Sequence, residues 1–459
     1  MITKAENRLL DFAAKHILMI ACVASLVLSL LLRAGFWAAR TEDYIFSFLP
    51  WVAQMNSEGL AVSLREPLSN YSPFYILLLW LFTRLPVSSL TAVKLMATTF
   101  DFANVALLVL LAQALCRPTH RRAGMAMAFC LGCLLPIPLL NSAYWAQCDA
   151  IYTAFLLAAT LFLVLRKEPV AILLCAAALC FKLQAVFFLP VLLILYCTER
   201  RFSALWLLSL PAGLFLSGVP TALAGGSIWA GIIIYTKQTD LFGQLTMNYP
   251  NFYTLTSGGD YELLSGGGVF AAIAVLGGML GWLIYRRCHV RGANIVLLCA
   301  WCTLACTLFL PAMHERYGFF AELVLWIYFI ALRDWRGLWM PALLQAVTLV
   351  TYANYFWGNQ GVPGWLLALV NYMVFAALTQ RLLRAVKPTL RVQMLAAEDF
   401  TVPEKAHGTV RETFLTLDDP AASQGKTGAG SDACALFAAH PEATAPMEHT
   451  PPNQTENKE

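Results

Sequence analysis

Residues 16–37 read HILMIACVASLVLSLLLRAGFW, with Arg33 as the single Lys, Arg, Asp or Glu. A helix that crosses a bilayer needs about 20 predominantly apolar residues, so this stretch predicts a transmembrane helix. The whole chain of 459 residues is also apolar, with 59% hydrophobic and 13% charged residues. Soluble domains have about 45–50% apolar and about 25% charged residues. The sequence therefore predicts an all-α, polytopic membrane protein and excludes a soluble domain, a disordered chain or a disulfide-rich secreted module.

Further apolar stretches extend this to a transmembrane helical bundle of about twelve spans. The predicted spans are residues 16–37, 91–115, 123–141, 149–165, 169–182, 184–198, 203–224, 268–285, 293–311, 317–332, 337–355 and 364–383. Residues 74–85 are apolar but short, and Pro73 and Pro86 bracket them. We therefore predict a short helix at the outer face for this segment rather than a span.

Basic residues then orient the bundle, because cytoplasmic loops carry the excess of Lys and Arg. Clusters such as Arg117/Arg121/Arg122 and Arg286/Arg287/Arg291 all fall on one side of this threading. We expect both termini on that cytoplasmic side and two long extracytoplasmic loops, at residues 38–90 and 225–267. We predict that the chain is an integral protein of the bacterial cytoplasmic membrane. We expect no nucleic-acid partner.

The chain has two predicted regions, a transmembrane domain at residues 1–387 and a tail at residues 388–459. The tail has five Lys or Arg against eleven Asp or Glu, a balance of −6, whereas the whole chain carries +4. It lacks apolar periodicity and is rich in Ala, Pro, Thr and Glu. These features predict a disordered, acidic, cytoplasmic tail.

Polar residues that are unusual in so apolar a chain concentrate on the predicted outer side. Glu42 and Asp43 follow the first span, where they could serve as a base or a metal ligand or be ordinary solvated loop charges. Trp51 and the segment 70–75 have the composition of interfacial aromatics around a turn. Asp149 lies at the membrane edge, where an unpartnered carboxylate costs about 2.5–3.5 kcal/mol, but it could also cap the helix that starts there.

Two further sites add cations. Lys182 separates two apolar runs, so it either faces an anionic ligand or extends its amine to the interface. His314, Glu315 and Arg316 combine a titratable group, a carboxylate and a permanent cation at a helix start. Arginine suits bidentate phosphate contacts, although a structural ion-pair cluster is the alternative here.

Other sites for chemistry receive no support from the sequence. Asp101 lies in the middle of a span and is expected to pair inside the bundle. The cysteines fall mostly within spans and are typical of small apolar core residues. Phosphate-binding glycine loops and HExxH motifs are absent from the sequence, so we predict no metal site and no certain cofactor. A divalent cation on the carboxylates stays an open alternative.

Four segments, taken in order, resemble the GT-C superfamily of membrane glycosyltransferases that use polyprenyl-phosphate sugars. They are the carboxylate pair with residues 70–75, the stretch 145–153 (WAQCDAIYT), residues 181–185 (FKLQA) and residues 311–317 (PAMHERY). The last three are similar to the WGQxDxIYT, FKLQA and PxMHERY motifs of a bacterial branch related to the second mannosyltransferase of GPI-anchor assembly. Ala146 stands where that branch usually has Gly, and Gly318 where it often has a bulky residue.

This resemblance implies an extracytoplasmic active site that moves a hexose, with mannose as the candidate, to a lipid or glycan acceptor. It makes Asp43 the general base, with Glu42 as second choice, in an inverting transfer. Gln147 and Asp149 would line the site and orient hydroxyls, and Lys182, His314 and Arg316 would bind the leaving phosphate. The full set of implied substrate-binding residues is Gln147, Asp149, Lys182, Gln184, His314, Glu315 and Arg316. A transporter or flippase of lipid-linked sugars is the rival prediction, since polar residues inside membranes also mark transport paths.

Overall fold

Helices make up almost all of the regular structure, because a chain inside a bilayer must satisfy its backbone hydrogen bonds within each segment. The structure is a computed structural model that describes residues 2–66, 68–241, 243–256, 260–358 and 361–386, with the backbone alone described at residues 239–241. In these residues the all-α prediction is confirmed. The predicted tail at residues 388–459 lies outside the described residues.

The helices follow one another in chain order. In the first half they are α1 Lys4–Phe36, α2 Leu49–Glu58, α3 Leu60–Arg65, α4 Pro73–Thr83, α5 Ser89–Leu115, α6 Arg121–Leu134, α7 Pro136–Leu139, α8 Asp149–Val164, α9 Glu168–Phe181 and α10 Leu189–Glu199. In the second half they are α11 Ser209–Leu216, α12 Val219–Leu223, α13 Ala230–Leu241, α14 Phe252–Leu255, α15 Tyr261–Tyr285, α16 Ala293–Phe309, α17 Phe319–Leu332, α18 Trp339–Trp357 and α19 Gly364–Ala385.

Less regular segments interrupt these helices near their ends. Two π-helical segments occupy Tyr44–Phe48 and Leu140–Tyr144, and 3-10 segments occupy Leu183–Phe188, Ala204–Leu208 and Trp335–Gly337. In the described chain the only strands are β1, Thr246–Met247, and β2, Met313–His314. They pair in parallel, with Thr246 opposite Met313 and Met247 opposite His314.

Burial separates the central helices from the peripheral ones. In α16 every residue from Ile295 to Leu308 is buried, and α17 is buried around most of its circumference, as expected for helices in the middle of a bundle. Helix α1 instead buries only Ser25, Ser29 and Arg33, which lie four residues apart on one stripe. Its apolar faces are exposed, so α1 packs on the bundle through its polar stripe.

Several helices have the length and composition of membrane spans. Within the part of the chain that the structure describes, five segments meet both criteria, namely α1, α5, residues 204–223, α15 and α19, and the bent pair 121–134 and 136–144 adds a sixth. Apolar helices of 10–17 residues include α8, α9, α16 and α17. The short helix expected at residues 74–85 is confirmed as α4. The count of twelve spans stays a prediction.

The two regions predicted as long loops contain helices of their own. Residues 38–90 include α2, α3 and α4, and residues 225–267 include α13, β1 and α14. Helix α15 begins at Tyr261, seven residues before the predicted span. The expected break near Lys182 is present, because α9 ends at Phe181 and a 3-10 segment follows Lys182. These segments meet at one end of the bundle and form the walls of a cavity.

Candidate functional site

A partly open cavity of about 480 Å³ lies where the turns after α1, before α8, after α9 and after α16 come together. Its lining contains most of the polar residues that the sequence singled out. The lining residues are Asp43, Ser47, Phe48, Trp51, Asn70, Tyr71, Gln147, Phe181, Lys182, Leu183, Gln184, Gln238, Tyr261, Pro311, Ala312, Met313, His314, Arg316 and Tyr317. The volume falls in the range typical of small-molecule sites.

Asp43 is held in a fixed orientation on one side of this cavity. It directly precedes the π-helical segment Tyr44–Phe48, and such segments are frequent at functional sites. Its Oδ2 accepts hydrogen bonds from Trp145 Nε1, at 2.8 Å, and from Gln147 Nε2. Tyr355 Oη donates to Oδ1 at 3.4 Å. The half-buried carboxylate is therefore oriented by donors from two different elements.

The second π-helical segment, Leu140–Tyr144, delivers these two donors. This segment follows α7 directly and brings Trp145 next to the turn after α1. There, Thr41 Oγ1 donates a hydrogen bond to the Trp145 carbonyl at 3.2 Å. Ala146 follows with a φ of +66°, in the left-handed region. The kinked backbone thereby turns Gln147 toward Asp43.

Asp149 is fully buried and lies behind the cavity lining. Lys182 Nζ donates to its Oδ1, Arg316 Nε lies 3.4 Å from Oδ2, and Asn141 Nδ2 donates to Oδ2 at 2.9 Å. Cys148, not Asp149, is the N-cap residue of α8, and no side chain caps that helix end. The capping alternative is therefore wrong: Asp149 is the counter-ion of two cations.

Lys182 and Arg316 carry these cations to the cavity surface. Lys182 adopts an extended conformation between α9 and the next 3-10 segment, and it is only 6% exposed. It therefore does not extend its amine out of the bundle, as the snorkelling alternative required. The Arg316 guanidinium lies 4.8 Å from the Trp145 ring centroid and donates to Glu315 Oε1 at 2.9 Å.

The turn at Pro311–Tyr317 is fixed by the small sheet and by burial. Tyr249 N donates to the Met313 carbonyl at 3.3 Å, so the chain after α13 is joined to this turn. Burial, together with the nearby charges of Arg316 and Lys182, lowers the pKa of His314 to about 2, and its imidazole is therefore neutral at physiological pH. Burial also raises the pKa of Glu315 above its ordinary value, although Arg316 opposes this effect.

The cavity consequently has two chemically different sides. One side presents the cations of Lys182 and Arg316 with the neutral His314, and the buried carboxylates Asp149 and Glu315 lie behind it. Such buried cations need partners, because an unpaired buried charge is strongly destabilising. The other side presents the Asp43 carboxylate. The arrangement can hold an anion on the first side and accept a proton on the second.

The structure brings together most, though not all, of the predicted site residues. Six of them line the cavity: Asp43, Gln147, Lys182, Gln184, His314 and Arg316. Asp149 and Glu315 do not, because both are buried behind the cations; the expectation that Asp149 lines the site is wrong. Glu42 is exposed and lies outside the lining, since its neighbour Asp43 takes the inward position.

Other lining residues were missed by sequence reasoning. Trp51 and Tyr71, interpreted as interfacial aromatics, line the cavity instead. Tyr71 Oη donates to Gln147 Oε1 at 3.4 Å, which continues the hydrogen-bond chain to Asp43. Ser47 and Gln238 also line it. The spacing of Ser47, four residues after Asp43, was the available signal for a shared helix face.

Metal ligation receives no geometric support in the part of the chain that the structure describes. Among those residues no group of three or more His, Cys, Asp or Glu side chains could hold a metal ion. Most of the cysteines there are buried in the bundle as single residues. Asp101 pairs with Arg33 at 2.8 Å, which confirms the expected partner inside the bundle.

An apolar groove of about 540 Å³ begins close to the cavity. Its lining starts at Val186, two residues after Gln184, and continues along α10 and residues 207–210 to α15. Helix α15 connects the two, because Tyr261 lines the cavity and Ile273 lines the groove. A polar chamber thus lies beside an open apolar surface, as an amphipathic ligand would require.

Comparison with known proteins agrees with this geometry. A family model described as glycosyltransferase family 87 matches residues 70–311, which is more than half of the chain. The match includes the turn around Asp149 and the break at Lys182, and it ends at Pro311. No curated protein matches the chain at a significant level. The chain belongs to glycosyltransferase family 87, a GT-C-type family, and is an integral membrane glycosyltransferase that takes a sugar donor and an acceptor.

Proposed function

We propose that this chain transfers a hexose from a polyprenyl-phosphate-linked donor to an extracytoplasmic acceptor, with inversion at the anomeric carbon. The observation that carries the proposal is the presence of one oriented carboxylate, Asp43, and a pair of cations, Lys182 and Arg316, in the lining of one cavity. The resemblance to a mannosyltransferase branch makes mannose the first sugar to test. Family membership lends no support to the rival transporter hypothesis.

The donor's two halves match the cavity and the groove. The sugar and phosphate would occupy the polar chamber, and the polyprenyl chain would lie along the groove of α10 and α15. The extracytoplasmic orientation is supported by the Lys and Arg clusters, which occupy the opposite ends of the helices in the predicted threading.

Asp43 would act as the general base. An acceptor hydroxyl attacks the anomeric carbon, and a new carbon–oxygen bond forms as the bond from that carbon to the phosphate oxygen breaks. Asp43 takes the hydroxyl proton, and polyprenyl phosphate leaves with the bonding electrons. Trp145 and Gln147 hold the carboxylate in place, so little reorganisation accompanies the transfer.

Lys182, Arg316 and His314 would stabilise the leaving phosphate. Charge develops on the phosphate oxygen as the sugar bond breaks, and fixed cations stabilise it most effectively in a site that excludes water. Asp149 and Glu315 would keep both cations oriented before the donor arrives. Neutral His314 would contribute an N–H donor rather than a charge. Gln184 would contact the sugar hydroxyls.

Release of lipid phosphate tests the proposal directly. The full-length protein in lipid nanodiscs receives polyprenyl-phosphate-linked mannose, glucose or galactose together with membrane extract. Asp43→Asn should lower release at least 100-fold, because general base catalysis contributes about 10²–10⁴-fold. Glu42→Gln is the matched control, since this neighbouring carboxylate is exposed and outside the cavity, and its release should change less than twofold.

Two results would contradict the proposal. Equal release by wild type and Asp43→Asn would remove Asp43 as the base. Absence of release by the wild type with all three donors would remove the donor class.

A further inference from the structure

Asp43, Ser47 and Trp51 form a stripe of polar and aromatic side chains along one side of the cavity. They are four residues apart, and residues 44–58 are helical without interruption, first as a π-helical segment and then as α2. All three line the cavity. At about 1.5 Å per residue the stripe extends about 12 Å from the carboxylate to the indole.

The Trp51 ring is held in place by its neighbours. Its centroid lies 5.3 Å from that of Phe48, at an interplanar angle of 84°, and 5.7 Å from that of Tyr71, at 67°. Phe48 itself is buried. These edge-to-face contacts are favourable for aromatic pairs and fix the orientation of the indole before any ligand binds.

Unlike the Asp43 carboxylate, the polar atoms of Ser47 and Trp51 are unused. Among the residues that the structure describes, neither the Ser47 hydroxyl nor the Trp51 indole N–H has a hydrogen-bond partner. Both groups are half-buried on the cavity wall. A ligand with an apolar face and a hydroxylated edge would satisfy them, because the face can pack on the indole while the hydroxyls bond to Ser47.

A sugar ring has this combination, whereas a simple lipid alcohol does not. The lining of the apolar groove begins at Val186, two residues after Gln184, and includes neither Ser47 nor Trp51, so a prenyl chain in the groove would leave the stripe free. We propose that Ser47 and Trp51 form an acceptor subsite for a saccharide, which stacks on Trp51 and directs a hydroxyl to Asp43. This inference rests on the proposed function, since Asp43 is the base in both.

Binding can be measured independently of catalysis. Saturation-transfer difference NMR would measure the binding of four glycosides to the full-length protein in nanodiscs. The glycosides are methyl mannoside, methyl mannobioside, methyl glucoside and methyl galactoside. Trp51→Ala should lower the affinity for the bound glycoside at least tenfold, and Trp51→Phe should retain part of it. Trp365→Ala, an exposed tryptophan on α19, is the matched control and should bind as the wild type does. Asp43→Asn should also bind, even if it cannot turn over.

A transfer assay separates the acceptor from the donor. With polyprenyl-phosphate mannose and octyl mannobioside, Trp51→Ala should raise the KM for the acceptor at least tenfold and leave the KM for the donor unchanged. Unchanged glycoside binding by Trp51→Ala would overturn the subsite, as would equal use of octanol and octyl mannobioside by the wild type. Glycoside binding that depends on Trp51 in a protein that releases no lipid phosphate would support the subsite and contradict the proposed function.

Discussion

Ala146 shows how a single residue adapts to the geometry of the site. Its φ of +66° lies in the left-handed region, which costs an L-residue about 1–2 kcal/mol. The branch that the sequence resembles usually has Gly at this position. The chain tolerates Ala because Trp145 and Gln147, on either side of it, are held by hydrogen bonds to Asp43.

Replacement of Ala146 by Gly should leave thermal stability nearly unchanged. Loss of a buried methyl group costs about 0.8 kcal/mol, and the added freedom of Gly costs about 0.5–1 kcal/mol. Relief of the left-handed strain offsets both. Ala143→Gly is the matched control: Ala143 is equally buried but has no positive φ, so it should lose about 1.5 kcal/mol. Thermal unfolding in nanodiscs measures the difference, and equal losses would contradict the strain.

Asp149 is a second residue whose meaning depends on its surroundings. The sequence marked it as a costly carboxylate with either a functional or a capping role. Its contacts with Lys182, Arg316 and Asn141 make it the buried partner of the cationic side. A carboxylate in this position orients the cations without touching the cavity.

At the scale of elements, Lys94 connects the end of α1 to the start of the site. The side chain is fully buried, and Nζ donates to the carbonyls of Phe36, Trp37 and Ala39 at 3.0, 3.1 and 2.8 Å. The Phe36 carbonyl also accepts a bond from Ala39 N at 3.1 Å, and the C-terminal end of a helix favours a cation. Lys94 thereby fixes the backbone that leads to Asp43.

Lys94→Met should destabilise the protein by about 2–3 kcal/mol, because hydrogen bonds from a charged donor are worth about 1.5–3 kcal/mol and buried carbonyls would lose their partner. Thermal unfolding in nanodiscs is the measurement. Lys237→Met is the control, since that lysine is exposed, and it should change stability by less than 0.5 kcal/mol, as surface substitutions usually do. Similar values for both variants would show that Lys94 does not support the end of α1.

At the scale of the whole molecule, one buried ion pair joins three parts of the bundle. Arg33 on α1 donates from Nη1 to Asp101 Oδ2 on α5, at 2.8 Å, and to Ser142 Oγ, at 2.7 Å. Ser142 belongs to the π-helical segment that leads to Trp145 and Gln147. The pair therefore connects the peripheral α1 to the core and to the turn that orients the base.

Asp101→Asn should destabilise the protein by about 3–5 kcal/mol, because it leaves the Arg33 cation buried without a counter-ion. The double variant Arg33→Met, Asp101→Leu should recover at least half of this loss, since a buried ion pair can often be replaced by apolar residues. Thermal unfolding of the three proteins in nanodiscs gives the comparison. A double variant less stable than Asp101→Asn would indicate that the pair itself specifies the packing of α1.

Prediction from sequence succeeded where the signal was local. The membrane class followed from composition. The break near Lys182 followed from the position of this lysine between two apolar runs, and the pairing of Asp101 followed from the cost of an unpaired charge inside a span. It failed for Trp51 and Tyr71, because an aromatic residue at an interface and one in a cavity have the same local sequence. It also placed Asp149 on the cavity surface, since spacing along the chain does not distinguish a lining residue from the counter-ion behind it.

The sequence by itself determined that this chain is a helical membrane protein and that a few ionisable residues are unusual in it. Both conclusions depend on the free energy of transferring each segment from water to the membrane. That free energy is a property of the segment itself and does not depend on its neighbours. Only the tertiary structure decided which carboxylate faces the cavity and which ones balance buried cations. That choice depends on contacts between residues up to 312 positions apart, such as Asp43 and Tyr355, and no local pattern encodes them.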